Sequence, residues 1–193
     1  MNKNTNKMIK ISLLSAIAIV LMYFDFPIIP AFAWLKIDLS DVPALIGAFG
    51  FGPIAGVLIE LIKNLLIPLI KGSQTGFVGE TANFLIGVSL ILPASFIYYR
   101  NKSKKSAMLG MITGGAFMEV VGVIANVYFL LPAYGMTMPA DVLQNYIWAL
   151  IAFNGIKAVM ISVVTYALYK RISVSIFNVA PNFGSIENKT KTI

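Results

Sequence analysis

Five apolar runs, each about long enough to cross a bilayer, dominate this chain, at residues 9–26, 42–70, 77–99, 106–131 and 143–170. A helix needs about 20 residues to traverse the hydrocarbon core. Composition points the same way, with 58% hydrophobic and only 12% charged residues, where a soluble domain carries about 25% charged. The expected fold class is therefore an all-α integral membrane protein. One membrane domain is expected over residues 1–172, because no polar segment is long enough to fold alone. The polar tail 173–193, "NVAPNFGSIENKTKTI" at its end, is expected to be cytoplasmic and disordered. The opening "MNKNTNKMIK" resembles a signal-peptide n-region, but no cleavage site with a soluble remainder follows, so Ile11–Phe26 reads as a retained helix.

The second run is too long for one untilted crossing and carries "GFGFGPIAG" near its middle. Gly-Pro marks a break there, giving two helices at about 42–51 and 53–70 and six transmembrane helices in all. Charge supports six over five. Lys3, Lys7 and Lys10, the "RNKSKK" segment, and Lys170, Arg171, Lys189 and Lys191 hold eleven of the fifteen basic residues. Six spans put all three groups, and both termini, on the cytoplasmic side. The net charge of +7 is then a topology signal and a contact for anionic lipid rather than a nucleic-acid surface. The outer side receives "DFPIIPAFAWLKIDLSD", "KGSQTG" and "LPAYGMTMPAD", with Trp34, Tyr134 and Trp148 at interfacial or ligand-lining positions.

Polar residues inside the spans carry the functional signal. Asn154 and Lys157 are three apart and share a helix face. Lys157 lies roughly 20 Å from Lys170 along the helix, near the membrane middle or a little outward. An ionised lysine there costs about 2.5–3.5 kcal/mol on insertion scales and is functional by default. No acidic residue stands near it on its own helix, so it is expected to anchor a ligand, and its replacement by Met is expected to leave no structural partner unpaired. Glu60 with Lys63 and Asn64 reads as a structural ion pair on one face. Glu80 and Asn83 follow "GSQTG" in a first helical turn, where a carboxylate either complements the helix dipole or faces a ligand. Glu119 either pairs with a neighbouring helix or snorkels, and Asn126 falls near the outer surface. Together these groups would form an outward-facing pocket with a few polar anchors and apolar or aromatic walls. Amide donors and acceptors with lysine donors suit a flat heterocycle of alternating carbonyls and N–H groups.

Small-xxx-small spacings at Ala44/Ala48, Ala48/Gly52, Gly52/Gly56 and Gly110/Gly114 are expected to bring helix backbones together. Ser12/Ala16 on the first helix could instead receive another subunit. Cysteine and histidine are absent, which removes disulfides, thiol nucleophiles and most zinc or iron–sulfur sites. There is no GxxxxGK[ST] loop. An intramembrane enzyme would have to rely on Ser/Lys or paired carboxylates, and Ser162 with Lys157 makes no convincing dyad. A self-sufficient channel would show charged rings or a carbonyl filter, and neither is apparent.

The stretches "LKIDLSDVPALIGAFGFGPIAG", "IKNLL", "KGSQTGFVGETANFLIG", the Asn126 segment and "FNGIK" resemble the riboflavin-specific S components of energy-coupling factor (ECF) transporters, over roughly residues 8–170. The resemblance implies a six-helix vitamin-capture subunit that is not an enzyme and holds no cofactor, riboflavin being cargo. It implies two kinds of partner, a shared transmembrane coupling subunit and two cytoplasmic ATPases. By position, Asn126 and Lys157 match residues that hold the carbonyl-rich edge of the flavin ring, and Asp38, Thr75, Gly76 and Asn83 match the loop and helix-four region near the ligand. The family's first helix typically carries an alanine-xxx-alanine contact for the coupling subunit; here Ser12 takes the first position and Ala16 the second. Pantothenate or a thiamine precursor is the nearest alternative cargo. Both arginines are cytoplasmic, which weakens a case for flavin mononucleotide, while Lys36 and Lys71 leave it open.

Overall fold

A computed structural model describes residues 3–73 and 76–177, with no account of the side chains of Lys3 and of residues 169–177. Helix α1 spans Lys3–Tyr23. The connection that follows folds into a small antiparallel hairpin, β1 (Phe26–Pro27) against β2 (Lys36–Ile37), with Phe26 opposite Ile37. Helices α2 (Asp41–Phe51), α3 (Pro53–Lys71) and α4 (Val78–Asn101) come next. Helix α5 (Lys104–Ile124) runs on through a π-helical stretch, Ala125–Leu130, into a last turn, Leu131–Ala133. Helix α6 covers Ala140–Phe177, past the boundary expected at 172. The remainder of the expected tail lies outside the described residues.

The break expected in the long second run falls at Gly52, whose φ of 110° is open to glycine and strained for other residues. Pro53 then starts α3, at a position where its missing N–H costs nothing. Among the described residues five helices are long and apolar enough to cross a membrane, and α2 is shorter. Its 11 residues reach about 16 Å, and α2 is the short helix expected ahead of the Gly-Pro break. Buried non-helical chain leads into it. Leu35, Ile37, Asp38 and Ser40 are buried ahead of α2, and the N-terminus of α2 meets Lys63, two turns below the outer end of α3. Irregular backbone at membrane depth is tolerated only where protein covers it or where it lines a cavity. Both conditions hold here.

The outer and inner ends are identifiable from contacts. Lys71 at the end of α3 donates to the Tyr23 carbonyl at the end of α1 (3.1 Å) and to Asp25. At the opposite end the α2–α3 turn at Gly52 packs toward Tyr99 near the end of α4. The small residues serve internal packing as expected. A β-carbon on Gly56 would lie 2.6 Å from Ala48 Cβ, and one on Gly110 would lie 2.5 Å from the Ala94 carbonyl oxygen, so α2–α3 and α4–α5 touch backbone to backbone. The inner core gathers Leu14, Leu45, Ile59, Leu90, Met118 and Ile161. A smaller outer cluster of Leu35, Ile37, Leu131, Tyr146, Leu150 and Phe153 sits under the hairpin. Leu13, Leu66, Ile112 and Val159 point outward, as lipid-facing positions of a bundle should.

Candidate functional site

A cavity of about 190 Å³ opens among the hairpin connection, the outer ends of α3 and α4, the π-helical stretch and α6. Six of the sequence-predicted residues line it together: Asp38, Glu80, Asn83, Asn126, Asn154 and Lys157. Gly76 does not line it and has no atom within 4 Å of the place a β-carbon would take. Thr75 lies outside the described residues. Trp34 and Tyr134 join the wall as the ligand-lining reading of these aromatics expects, whereas Trp148 is exposed on the lipid side.

The lysine that stands without an acid on its own helix is ion-paired all the same. Lys157 Nζ lies 3.1 Å from Asp41 Oδ2 and 3.7 Å from Asp38 Oδ2, both carboxylates coming from the buried segment that leads into α2. The expectation that its removal strands no partner is therefore wrong. Asp41 also pairs with Lys63, which is 2.9 Å from Glu60 Oε1 and donates to Ser40 Oγ at 2.7 Å. The Glu60–Lys63 pair read from its spacing is present, as one arm of this larger network. Asn64 closes that arm by donating to the Glu60 carbonyl at 2.8 Å. Three carboxylates and two ammonium groups thus tie α2, α3 and α6 together beneath the cavity floor. Such charges are tolerable at this depth only because they meet one another.

Asn126 has a different setting. It sits in the π-helical stretch, a local widening that re-aims side chains and recurs at functional sites. Its Nδ2 donates to the Gly122 carbonyl at 2.8 Å, and its Oδ1 accepts from the Tyr146 hydroxyl at 3.0 Å. Trp34 Nε1 donates to that same hydroxyl at 3.1 Å. Asn126 is thereby fixed by an aromatic chain from the outer connection. Glu80 accepts from Ser73 Oγ at 3.2 Å, so the first turn of α4 is also tied to its preceding loop.

Two amide atoms at the cavity have no such satisfaction. Asn83 Oδ1, an acceptor, and Asn154 Nδ2, a donor, are buried without a hydrogen-bond partner. A shielded and unpaired amide atom costs about 1–3 kcal/mol. Asn154 rests on Gly122, where a β-carbon would come within 2.9 Å of its Cγ. At the rim Asp25 accepts from Lys71 and lies 3.9 Å from Lys36, so both outer lysines already face a carboxylate.

Sequence reasoning missed Asp41, Tyr146 and Phe153. Asp41 stands inside the "DLSDVPALIG" stretch, and Tyr146 reads in sequence as one more aromatic. Glu119 makes no ion pair among the described residues. It faces Gly155 of α6 across the α5–α6 groove, with Oε1 shielded and unpartnered. Ser162 lines that same groove while Lys157 lines the cavity, which separates the two members of the weighed dyad.

Comparison with known proteins bears on what such a cavity holds. The family model for the "ECF transporter, substrate-specific component" matches residues 6–169. The riboflavin transporter RibU of Staphylococcus aureus (strain TCH60) is 43% identical, over 90% of this chain and 94% of its own. The riboflavin transporter FmnP of Bacillus subtilis (strain 168) is 36% identical, over 86% and 91%. A solved structure, described as the S component of a bacterial ECF transporter, superposes with a TM-score of 0.79 at 40% identity, covering 90% of this chain and 99% of that one.

Proposed function

The chain belongs to the substrate-specific (S) components of ECF transporters, and from that premise we propose that its outer cavity captures riboflavin for uptake. It is a multi-pass protein of the bacterial plasma membrane and a transport subunit rather than an enzyme. The observation that carries the choice of cargo is a pair of unpartnered amide atoms, Asn83 Oδ1 and Asn154 Nδ2, on two residues that line the same cavity as Lys157. A flavin ring presents N–H donors and carbonyl acceptors along one edge and flat apolar faces elsewhere. Asn83 would accept, Asn154 and Lys157 would donate, and Trp34, Leu35 and Phe153 would cover the faces. The cavity is smaller than the roughly 300 Å³ of common small-molecule sites, so a three-ring ligand enters only as the outer connection and the rim side chains give way.

Delivery across the membrane falls to partners. A transmembrane coupling subunit docking on the outward Ser12/Ala16 face of α1, and two ATPases below it, would supply the work this chain has no phosphate-binding loop to perform. The purified protein should carry flavin absorbance from expression in riboflavin-containing medium. Riboflavin titrated into stripped protein should have its fluorescence quenched to saturation at one equivalent. A colourless preparation that leaves riboflavin fluorescence unchanged would overturn the reading.

A further inference from the structure

Asp41 touches no part of the cavity wall, yet it holds the lysine that does. It is the first residue of α2, wholly buried, at the point where the extended segment ends. Its two oxygens are divided between neighbouring helices: Oδ1 meets Lys63 of α3, and Oδ2 lies 3.1 Å from Lys157 Nζ of α6. The other two carboxylates of the network have different engagements. Asp38 Oδ1 accepts from the Ser40 N–H at 2.6 Å and its Oδ2 is 3.7 Å from Lys157, while Glu60 is bound to Lys63 at 2.9 Å. Asp41 is thus the carboxylate nearest to the Lys157 ammonium among the described residues.

A lysine ammonium sits on a flexible four-carbon stem and has no preferred placement of its own. In a buried setting its position is set by the nearest anion, because leaving it uncompensated is costly. Three N–H groups are available, so one directed at Asp41 leaves others for the cavity. We infer that Asp41 is a positioning residue for substrate capture: it acts on the ligand only through Lys157, fixing that ammonium at the cavity wall and neutralising it while the site is empty. This inference rests on the reading of the cavity as a riboflavin site.

A double-mutant cycle on riboflavin affinity tests it, because groups that act through one another are non-additive. Asp41→Asn keeps the shape and removes the charge. In the unsubstituted background it should raise the riboflavin Kd by about tenfold. In a Lys157→Met background it should raise Kd by less than about twofold, since the group it positions is gone. The same second substitution should raise the thermal midpoint of Lys157→Met, by removing the carboxylate that Lys157→Met leaves short of a partner, without restoring affinity. A purely structural Asp41 would cost the same factor in both backgrounds, and that result overturns the inference.

Where Asp41→Asn fails to accumulate in the membrane, Asp41→Glu keeps the charge and shifts the carboxylate by one methylene. It should weaken riboflavin binding several-fold with Lys157 present and leave the Lys157→Met variant unchanged. Unaltered affinity in the Asp41→Glu protein, or equal losses in both backgrounds, would also overturn it. Absence of riboflavin binding by the unsubstituted protein removes the functional reading and this inference with it. Normal binding with an additive cycle removes the inference alone.

Discussion

The Tyr146 hydroxyl donates a 3.0 Å hydrogen bond to Asn126 Oδ1 while accepting one of 3.1 Å from Trp34 Nε1. Tyr146 is fully buried and packs against Phe32 at a ring-centroid separation of 4.8 Å. The chain Trp34–Tyr146–Asn126 therefore joins the outer connection, α6 and the π-helical stretch of α5 at the cavity. Tyr146→Phe keeps the ring and deletes the link. It leaves a buried amide oxygen and an indole N–H without partners, which should cost about 1–3 kcal/mol of stability. Released from its acceptor contact, Asn126 should hold riboflavin several-fold less tightly. Thermal unfolding and flavin titration of the variant check the two effects together. A variant indistinguishable from the parent in both would show the chain to be incidental.

Lys63 is the charge on which two carboxylates depend, Asp41 and Glu60, and all three side chains have no exposed surface. Removing one partner of a buried ion pair costs about 3–5 kcal/mol, because the other charge is left uncompensated. Lys63→Met should accordingly accumulate poorly or unfold at much lower temperature. Lys63→Met combined with Glu60→Gln removes the carboxylate that loses its ammonium, Asp41 still facing Lys157, and should recover part of that loss. Detergent-solubilised yield and unfolding temperature report it. Equal destabilisation in the single and the double variant would mean that Lys63 matters for packing rather than charge.

Much of this arrangement is legible in the sequence, and the rest fails to show for identifiable reasons. The Gly52–Pro53 break, the long spans and the Glu60–Lys63 pair are local patterns of turn chemistry, hydropathy and helical spacing. Glu80, Asn83, Asn126, Asn154 and Lys157 stand out because polarity within a span is rare, whereas Asp38 is marked only by the family resemblance. The Asp41–Lys157 pair is a contact between distant segments, and helical spacing reports only partners on the same helix. The depth reached by residues 35–41 was hidden for a related reason. Lys36, Asp38 and Asp41 make the segment look like surface loop, and it is the two lysines of α3 and α6 that make its burial tolerable. The π-helical stretch around Asn126 depends on what α5 packs against and leaves no trace in composition.

Gly122 is a place where packing sets the ligand site directly. A β-carbon there would crowd the end of the Asn154 side chain, 2.9 Å from Cγ and closer still to the amide nitrogen. Gly122→Ala should swing that amide away from the cavity and raise the riboflavin Kd by about tenfold, the worth of one hydrogen bond. Stability should change little, since a flexible side chain absorbs the clash. Gly110→Ala supplies the contrast. Its β-carbon would meet the Ala94 backbone carbonyl at 2.5 Å, so α4 and α5 must separate at a cost of about 1–3 kcal/mol. Binding and unfolding measured on both variants should show affinity loss dominating in the first and stability loss in the second. The reverse pattern would place Asn154 outside the site.

Ser12 and Ala16 lie on the exposed side of α1, one turn apart, while Ile11, Leu14, Ser15 and Ala18 on the opposite side are buried against the bundle. Ser15 turns its hydroxyl back onto the Ile11 carbonyl at 2.9 Å, so the inward face presents no unmet polar group. A pair of small residues facing lipid lets a partner helix approach its backbone closely, and association within a membrane depends on such packing. Ser12→Trp fills that approach without disturbing the buried face. Riboflavin affinity of the isolated protein should stay within about twofold of the parent, the variation expected for a substitution remote from the site. ATP-driven uptake in vesicles that also hold a coupling subunit and the ATPases should fall severely, and copurification of the coupling subunit should fall with it. Joint loss of binding and uptake would assign this face to the fold, and retention of both would place the docking surface elsewhere on the bundle.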